Sequence, residues 1–235
     1  MFTLPQSPSS CASSTQPPTV SVSEDSNVVG MLLRFIYPLP DPTPHNLDEL
    51  VSLLCAASKY DMTGVMERLR TYLASPEYLA ESPLRVFAIA TRFDFEPEAK
   101  IASSHTLGID VLDSPLSEDL KQITAYSYHR LFTLHRRRAE AAQHVLQSES
   151  ALGVKCMQCN GSGAHFGTPR WLTHFRAKAE EELKARPTTE VIFSLKFLME
   201  VAQATGCQRC AASILESHIY LENLRGKIDA LPATI

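Results

Sequence analysis

The sequence predicts an α+β fold that is predominantly helical, with one short strand near the N-terminus. Apolar residues recur at three- and four-residue spacing through most of the chain, which is typical of helices that bury one face. Capping residues precede several of these runs, and prolines or glycines follow them. Only Val20, Ser21 and Val22 alternate apolar and polar residues, and we expect this triplet to form the strand.

The N-terminal region divides into a tail and a helix start. Residues 1–19 are rich in Ser and Pro and lack apolar periodicity, so we expect a flexible surface segment there. The acidic, hydroxyl-rich residues 23–26 then predict the start of a helix. We expect this helix to end before Pro38, because proline has no backbone N–H to donate.

Further helices follow as far as residue 107. Asn46 and Glu49 have the spacing of a capping box, which predicts the start of one helix. Ser82 followed by Pro83 predicts the start of another, because proline is favourable at the first helical position. The apolar spacing predicts helices over residues 47–57, 65–73, 83–90 and 96–107, the last stopped by Gly108.

A long helix is predicted over residues 117–146, and a glycine-rich stretch follows it. We place the main boundary of the chain in residues 147–170, where the composition changes. Three helical patterns complete the sequence, over residues 169–185, 188–205 and 207–230. The predicted organisation is a tail (1–19), a helical domain (20–110), a long helix (111–146) and a helical extension (147–235).

Composition limits the possible classes of function. The hydrophobic fraction of 44% and the charged fraction of 20% are those of a soluble globular protein. No apolar run is long enough for a transmembrane helix, and MFTLPQSPSS lacks the features of a secretory signal. We therefore expect a cytoplasmic or nuclear protein. A net charge of −4 gives no reason to expect binding to nucleic acid or acidic lipid.

Residues 21–62 resemble the later half of a BTB/POZ domain, of the divergent type common in fungi. In that family a strand leads into a helix ending in R-F-x-Y-P, and a second helix ends in A-x-K-Y-D-M. The matching residues are Arg34, Phe35, Tyr37 and Pro38, then Ala57, Lys59, Tyr60, Asp61 and Met62. Residues 83–103 resemble the helical pair that follows, and the paired cysteines with Trp171 resemble the family's C-terminal extension.

The resemblance implies a domain that associates with itself or with other proteins, in ubiquitin-ligase recruitment or transcriptional regulation. The strands and helix that begin a complete BTB fold have no match in this sequence. The resemblance is therefore to an N-terminally truncated domain, and we expect Met1 to correspond to an internal methionine. Because the missing half supplies much of the family's dimer interface, we expect the chain to be less stable than a whole domain.

Two CxxC pairs carry the sharpest chemical signal. Cys156, Cys159, Cys207 and Cys210 can enclose one structural zinc ion, because a two-residue spacer lets both sulfurs of a pair turn toward one metal. The second pair lies at a predicted helix start, which favours the thiolate form. Almost fifty residues separate the pairs, so a helical hairpin would have to bring them together. Four free or buried thiols without a metal are the alternative.

Residues 135–138, His-Arg-Arg-Arg, are the most concentrated basic run of the chain. Such a run can contact phosphate or an acidic partner, but we favour the solvated face of a helix, since adjacent residues point in different directions. For catalysis, the sequence has no GxSxG, HExxH or Walker motif.

We therefore expect a protein–protein interaction module, or adaptor, without catalytic activity. We expect its partners to be other proteins. We do not expect it to bind a membrane, nucleic acid or a small-molecule substrate. One alternative is a zinc-stabilised, nucleic-acid-binding transcriptional regulator that uses the cysteines and the basic run. Another is a hydrolase of unrecognised type, which would need a deep pocket with strongly shifted titratable groups.

Overall fold

The computed structural model describes residues 19–160 and 167–235, and these ranges contain helices and no strand. No helix in them is long and apolar enough to cross a membrane. In chain order the helices are α1 (Ser26–Ile36), α2 (Leu47–Lys59), α3 (Thr63–Leu73), α4 (Pro76–Glu81), α5 (Pro83–Arg92), α6 (Glu96–Thr106), a 3-10 helix (Glu118–Gln122), α7 (Ala125–Ser148), α8 (Arg170–Ala185), α9 (Thr189–Ile192), α10 (Leu195–Ala204), α11 (Cys210–Glu216) and α12 (His218–Asp229).

The predicted α+β class is wrong, because the described chain is helical only. Val20 and Val22, expected in a strand, have no regular structure and are 77% and 47% exposed. A strand needs a neighbouring strand to pair its backbone N–H and C=O groups, and the described residues offer none. The part of the chain that the structure describes therefore does not have the fold of a half BTB domain with a residual strand. Residues 1–18, most of the predicted flexible tail, lie outside the described residues.

Local capping signals determine where several helices begin. The Asp25 carboxylate accepts a hydrogen bond of 2.9 Å from the Val28 N–H at the start of α1. Asn46 caps α2 in the same way, accepting from the Glu49 N–H at 2.9 Å. The Glu49 carboxylate in turn accepts from the backbone N–H of His45 at 2.7 Å. The predicted capping pair is therefore confirmed, with the returning bond shifted by one residue.

Other helix boundaries differ from the predicted ones because additional caps interrupt the apolar pattern. Thr124 accepts from the Ser127 N–H at 3.0 Å, so the long helix begins at Ala125 and not at residue 117. Ser194 accepts from the Phe197 N–H at 3.2 Å and separates α9 from α10 inside the predicted helix 188–205. Helix α4, which no pattern predicted, is one and a half turns long and has Ser75 as its N-cap.

Within residues 19–160 and 167–235, buried apolar side chains form two clusters, and α7 contributes to both. Helices α1 to α6 surround the first cluster, which includes Phe87 and reaches Leu131 on α7. Helices α8 to α12 surround the second, which includes Trp171 and takes Ala142 and Leu146 from α7. The 24 residues of α7 make a rod of about 36 Å, so one helix orients both halves of the protein.

Arg138 lies buried on α7 and binds backbone carbonyls instead of a carboxylate. Its guanidinium donates to the carbonyls of Pro187, Ile228 and Pro232 at 2.8, 3.1 and 3.0 Å, and also to that of Leu231. The first carbonyl lies between α8 and α9, and the others lie at the end of α12. Burial lowers the pKa of Arg138, and nearby Asp229 opposes this shift. The side chain thereby fixes the C-terminal segment to α7.

His135, one turn earlier on α7, is buried in its neutral form. Its Nε2 lies 3.0 Å from the Thr106 hydroxyl, which itself donates to the Ser103 carbonyl at 2.6 Å. The hydroxyl proton is therefore used, and we assign the Nε2–H as the donor to Thr106. Burial lowers the pKa of His135 to about 4, with Asp110 acting in the opposite direction.

This shift predicts that acid destabilises the fold through His135. In the unfolded chain the ring takes up a proton as the pH falls through its ordinary pKa of 6.5, but in the folded chain it does so only near 4. Between these values the unfolded state binds more protons, so the folded state should lose about 3 kcal/mol of stability. Urea unfolding from pH 7 to pH 4.5 measures the loss.

A pair of substitutions separates this contribution from those of other groups. His135→Gln removes the titration and should flatten the dependence of unfolding free energy on pH. His174→Gln, at an exposed site on α8, is the control for the loss of a histidine side chain. An unaltered pH dependence in His135→Gln would contradict the assignment of a buried neutral ring.

Candidate metal centre

The fold brings both CxxC pairs together in the second half of the protein. Cys156 and Cys159 lie in the turns between α7 and α8, Cys207 lies in the turn after α10, and Cys210 is the first residue of α11. All four Sγ atoms lie within 4.8 Å of one another. Cys156 and Cys210 are buried, and Cys159 and Cys207 are partly buried. The four cysteines can therefore hold one metal ion.

The sulfur spacing fits a tetrahedral ion. Cys156 Sγ lies 3.8 Å from Cys207 Sγ, and Cys159 Sγ lies 3.7 Å from Cys210 Sγ. A metal–sulfur bond of about 2.3 Å in a regular tetrahedron places neighbouring sulfurs about 3.8 Å apart. Both measured distances are far longer than the S–S bond of about 2.05 Å in a disulfide. The close approaches run between the two CxxC pairs, so an ion here would join distant parts of the chain.

Backbone N–H groups of the first turn point at the Cys156 sulfur. Burial alone raises the pKa of this thiol, but hydrogen bonds from the backbone N–H groups of Gln158 and Cys159 oppose it. Together with the Cys159 and Cys207 thiols, they lower the pKa of Cys156 to about 7. N–H groups directed at a sulfur favour the thiolate, which is the form that binds metal.

The start of α8 supplies the same kind of support on the other side of the cluster. The backbone N–H of Arg170 donates to the Cys159 sulfur, and that of Trp171 donates to the Cys210 sulfur. Burial nevertheless raises the pKa of Cys159, and it raises the pKa of Cys210 to about 12. Without a cation the cluster resists holding four negative charges so close together. A bound cation would supply the missing charge and displace the remaining protons.

Ser213 connects the elements that carry the cysteines. It lies on α11, one turn after Cys210, and its hydroxyl accepts from the Trp171 indole N–H at 2.9 Å. The same hydroxyl donates to the carbonyl of Lys155 at 2.6 Å, directly before Cys156. Trp171 is fully buried, and its ring lies edge-on to that of Phe175. The first cysteine turn, α8 and α11 are therefore held together by one buried polar bridge.

A left-handed glycine sets the direction of the second pair. Gly206 follows the last residues of α10 with a φ of +64°, a conformation that side chains with a Cβ rarely adopt. The chain turns there, and the N–H of Cys207 then donates to the Thr205 hydroxyl at 3.1 Å. Helix α11 starts three residues later, so both sulfurs of the pair turn toward the first pair. Gly161 and Gly163, which follow the first CxxC pair in the sequence, lie outside the described residues.

The basic run of residues 135–138 does not form one continuous surface. His135 and Arg138 are buried, with the partners described above. Arg136 is exposed and lies 3.8 Å from Glu140, one turn along the same helix. Arg137 is exposed too, and none of the described residues forms a hydrogen bond or ion pair with it. The four side chains therefore have three different environments.

The geometry predicts that the cluster stabilises the fold only with its full ligand set. Cys210→Ser should remove one ligand from an ion that closes a loop of about fifty residues, at a cost of about 4 kcal/mol in unfolding free energy. A chelator should destabilise the original protein by a similar amount and have little further effect on the variant. Urea unfolding with and without chelator measures both.

Cys55→Ser is the matched control, because Cys55 lies on α2 in the other half of the protein. This variant should respond to the chelator as the original protein does. If the chelator leaves the unfolding free energy of the original protein unchanged, the cluster holds no stabilising ion.

Comparisons with protein-family models, curated proteins and solved structures gave no match. The resemblance of residues 21–62 to the BTB/POZ family therefore stays a prediction. The geometry of this centre is that of four cysteines able to hold one metal ion.

Proposed function

We propose that this chain is a helical protein stabilised by a structural zinc ion, that it binds other proteins and that it has no catalytic activity. The four-cysteine cluster carries this proposal, because its sulfurs lie at the spacing of a tetrahedral ion. Four protein ligands complete the usual coordination of zinc, which leaves no position for a substrate or an activated water. Such a site stabilises a fold and performs no reaction.

Zinc is favoured over other metals by the ligands and by the position of the site. Four thiolates in a tetrahedron are suitable ligands for zinc or iron. They are poor ligands for calcium and magnesium, which prefer oxygen. Zinc has no redox chemistry and no preferred geometry of its own, so it serves as a permanent link. The cluster joins the turn before α8 to the start of α11, which is the position of a structural link.

An apolar surface at the end of α1 supports the binding of other proteins. Leu33 and Ile36 lie three residues apart on α1 and are exposed, and Tyr37, the C-cap residue, and Leu39 follow them. Their exposed fractions are 44%, 61%, 60% and 54%. Clustered apolar side chains on the surface of a protein typically mark an interface. We propose that this surface binds a second copy of the chain, in keeping with the self-association that the BTB/POZ resemblance implies.

The alternative of a zinc-stabilised nucleic-acid-binding regulator has less support. Tracking a phosphate backbone needs several free cations on one face. Two residues of the basic run are buried, and Arg136 lies beside Glu140.

Metal analysis tests the zinc centre directly. Protein purified without added metal should contain one zinc per chain, because four converging thiolates bind zinc tightly. Cobalt(II) in its place should give the absorption spectrum of a tetrahedral thiolate complex. Cys156→Ser should contain far less metal, and Cys55→Ser should keep it. Iron in place of zinc, or no metal with all thiols free to titrate, would contradict the proposal.

Sedimentation equilibrium tests the interaction surface. The original protein should form a dimer as its concentration rises, and Ile36→Glu should remain monomeric, because the introduced charge would have to be buried at the interface. Leu195→Glu, at an exposed site on α10, should dimerise normally. A monomer at every concentration, or equal dimerisation of the two variants, would contradict binding through α1.

A further inference from the structure

A groove of about 560 Å³ runs between α7 and the C-terminal segment. Both of its walls are fixed. The guanidinium of Arg138 holds the carbonyls of Leu231 and Pro232 against α7. Further along, the N–H of Ile235 donates to the Ser103 hydroxyl at 3.2 Å. The groove therefore exists in the folded chain without any rearrangement, and its volume lies within the range of roughly 300–1,000 Å³ that is usual for small-molecule sites.

The lining of the groove combines an apolar floor with a row of polar side chains. Leu134 and Ala141 of α7 face Pro232 and Ile235 across it. His129, Thr133 and Arg137 also line it, and these residues follow one another at four-residue spacing. Residues at this spacing lie on the same face of a helix, so the three polar groups form a line along the groove.

The permanent charge of this line lies on Arg137. Among the residues that the structure describes, no acidic side chain lines the groove. Arg130 is already engaged, because its guanidinium donates to the Glu96 carboxylate at 2.6 and 3.1 Å. Neither His129 nor Arg137 has a hydrogen-bond or ion-pair partner among the residues that the structure describes. Arg137 can therefore make two parallel hydrogen bonds to a carboxylate or phosphate, as a free guanidinium commonly does.

We propose that this groove binds an organic anion with an apolar body, of the size of a medium-chain carboxylate or alkyl phosphate. The charged head would lie at Arg137 with Thr133 beside it, and the apolar body would lie against Leu134 and Ile235. This site lies apart from the four-cysteine cluster and involves binding without turnover. It uses the one arginine of the basic run that is neither buried nor paired.

NMR titration of the ¹⁵N-labelled full chain tests the proposal. Octanoate and octyl phosphate should shift the backbone amide signals of Thr133, Arg137, Thr234 and Ile235. Octanol lacks the charge and acetate lacks the apolar body, so each should bind at least about 10-fold more weakly than octanoate. If the shifts lie elsewhere on the protein, or if octanol binds as well as octanoate, the site is not the one proposed.

Two arginine variants then identify the group that binds the head. Arg137→Gln should weaken octanoate binding by about 10-fold, the usual effect of losing one charge-assisted contact. Arg136→Gln is the matched control, because Arg136 is the exposed neighbour that lies beside Glu140 and does not line this groove. Equal weakening in both variants, or in neither, would overturn the assignment to Arg137.

Flotation with vesicles of anionic phospholipid distinguishes a free ligand from a lipid surface. The original protein should bind octanoate and remain unbound to the vesicles. Binding to vesicles without binding to octanoate would overturn the proposal and assign the row of polar side chains to a membrane surface. Absence of binding to all of these probes would leave the row as a solvated helix face, which also overturns it.

Discussion

The buried guanidinium of Arg138 fixes the α8–α9 connection and the end of α12 to α7, the helix that contributes to both cores. Four backbone carbonyls, from the α8–α9 connection and from the end of α12, converge on it. Carbonyls at a helix end have no partner within the helix, and a buried carbonyl without one costs about 1–3 kcal/mol. Arginine suits this position because its planar group carries five N–H donors. One side chain of α7 thus joins two separate segments of the second half of the protein.

The sequence predicted features that depend on local interactions and missed those that depend on distant ones. Caps such as Asn46 act within one turn of helix, so their position could be read directly. The prediction of a strand at Val20–Val22 was wrong because a strand needs a partner strand elsewhere in the chain. The break between α9 and α10 at Ser194 and the break between α11 and α12 at Ser217 were not predicted. The apolar spacing continues through both of them. Spacing alone does not separate one long helix from two short ones that pack on the same core.

The candidate site was predictable in its ligands but not in its surroundings. Each CxxC pair is a local motif, and the predicted helical hairpin between the pairs is present in a modified form, as α8, α9 and α10. The contribution of Ser213 could not be predicted, because its bonds to Trp171 and Lys155 form only after three elements have packed together. The backbone N–H donors of Gln158 and Arg170 could not be predicted from residue type, since every residue except proline has a backbone N–H. The side chains of the basic run lie in different environments because a helix turns adjacent residues to different sides.

The long separation between the cysteine pairs has a consequence for synthesis of the chain. At about 5–20 residues per second, a ribosome releases Cys207 and Cys210 some 3–10 seconds after Cys156 and Cys159. During that interval the nascent chain carries two thiols whose intended neighbours do not yet exist. A two-sulfur site binds metal more weakly than a four-sulfur site. Tight binding of an ion therefore requires that α8, α9 and α10 have been synthesised and packed. Assembly of the centre therefore marks the completion of the second half of the molecule.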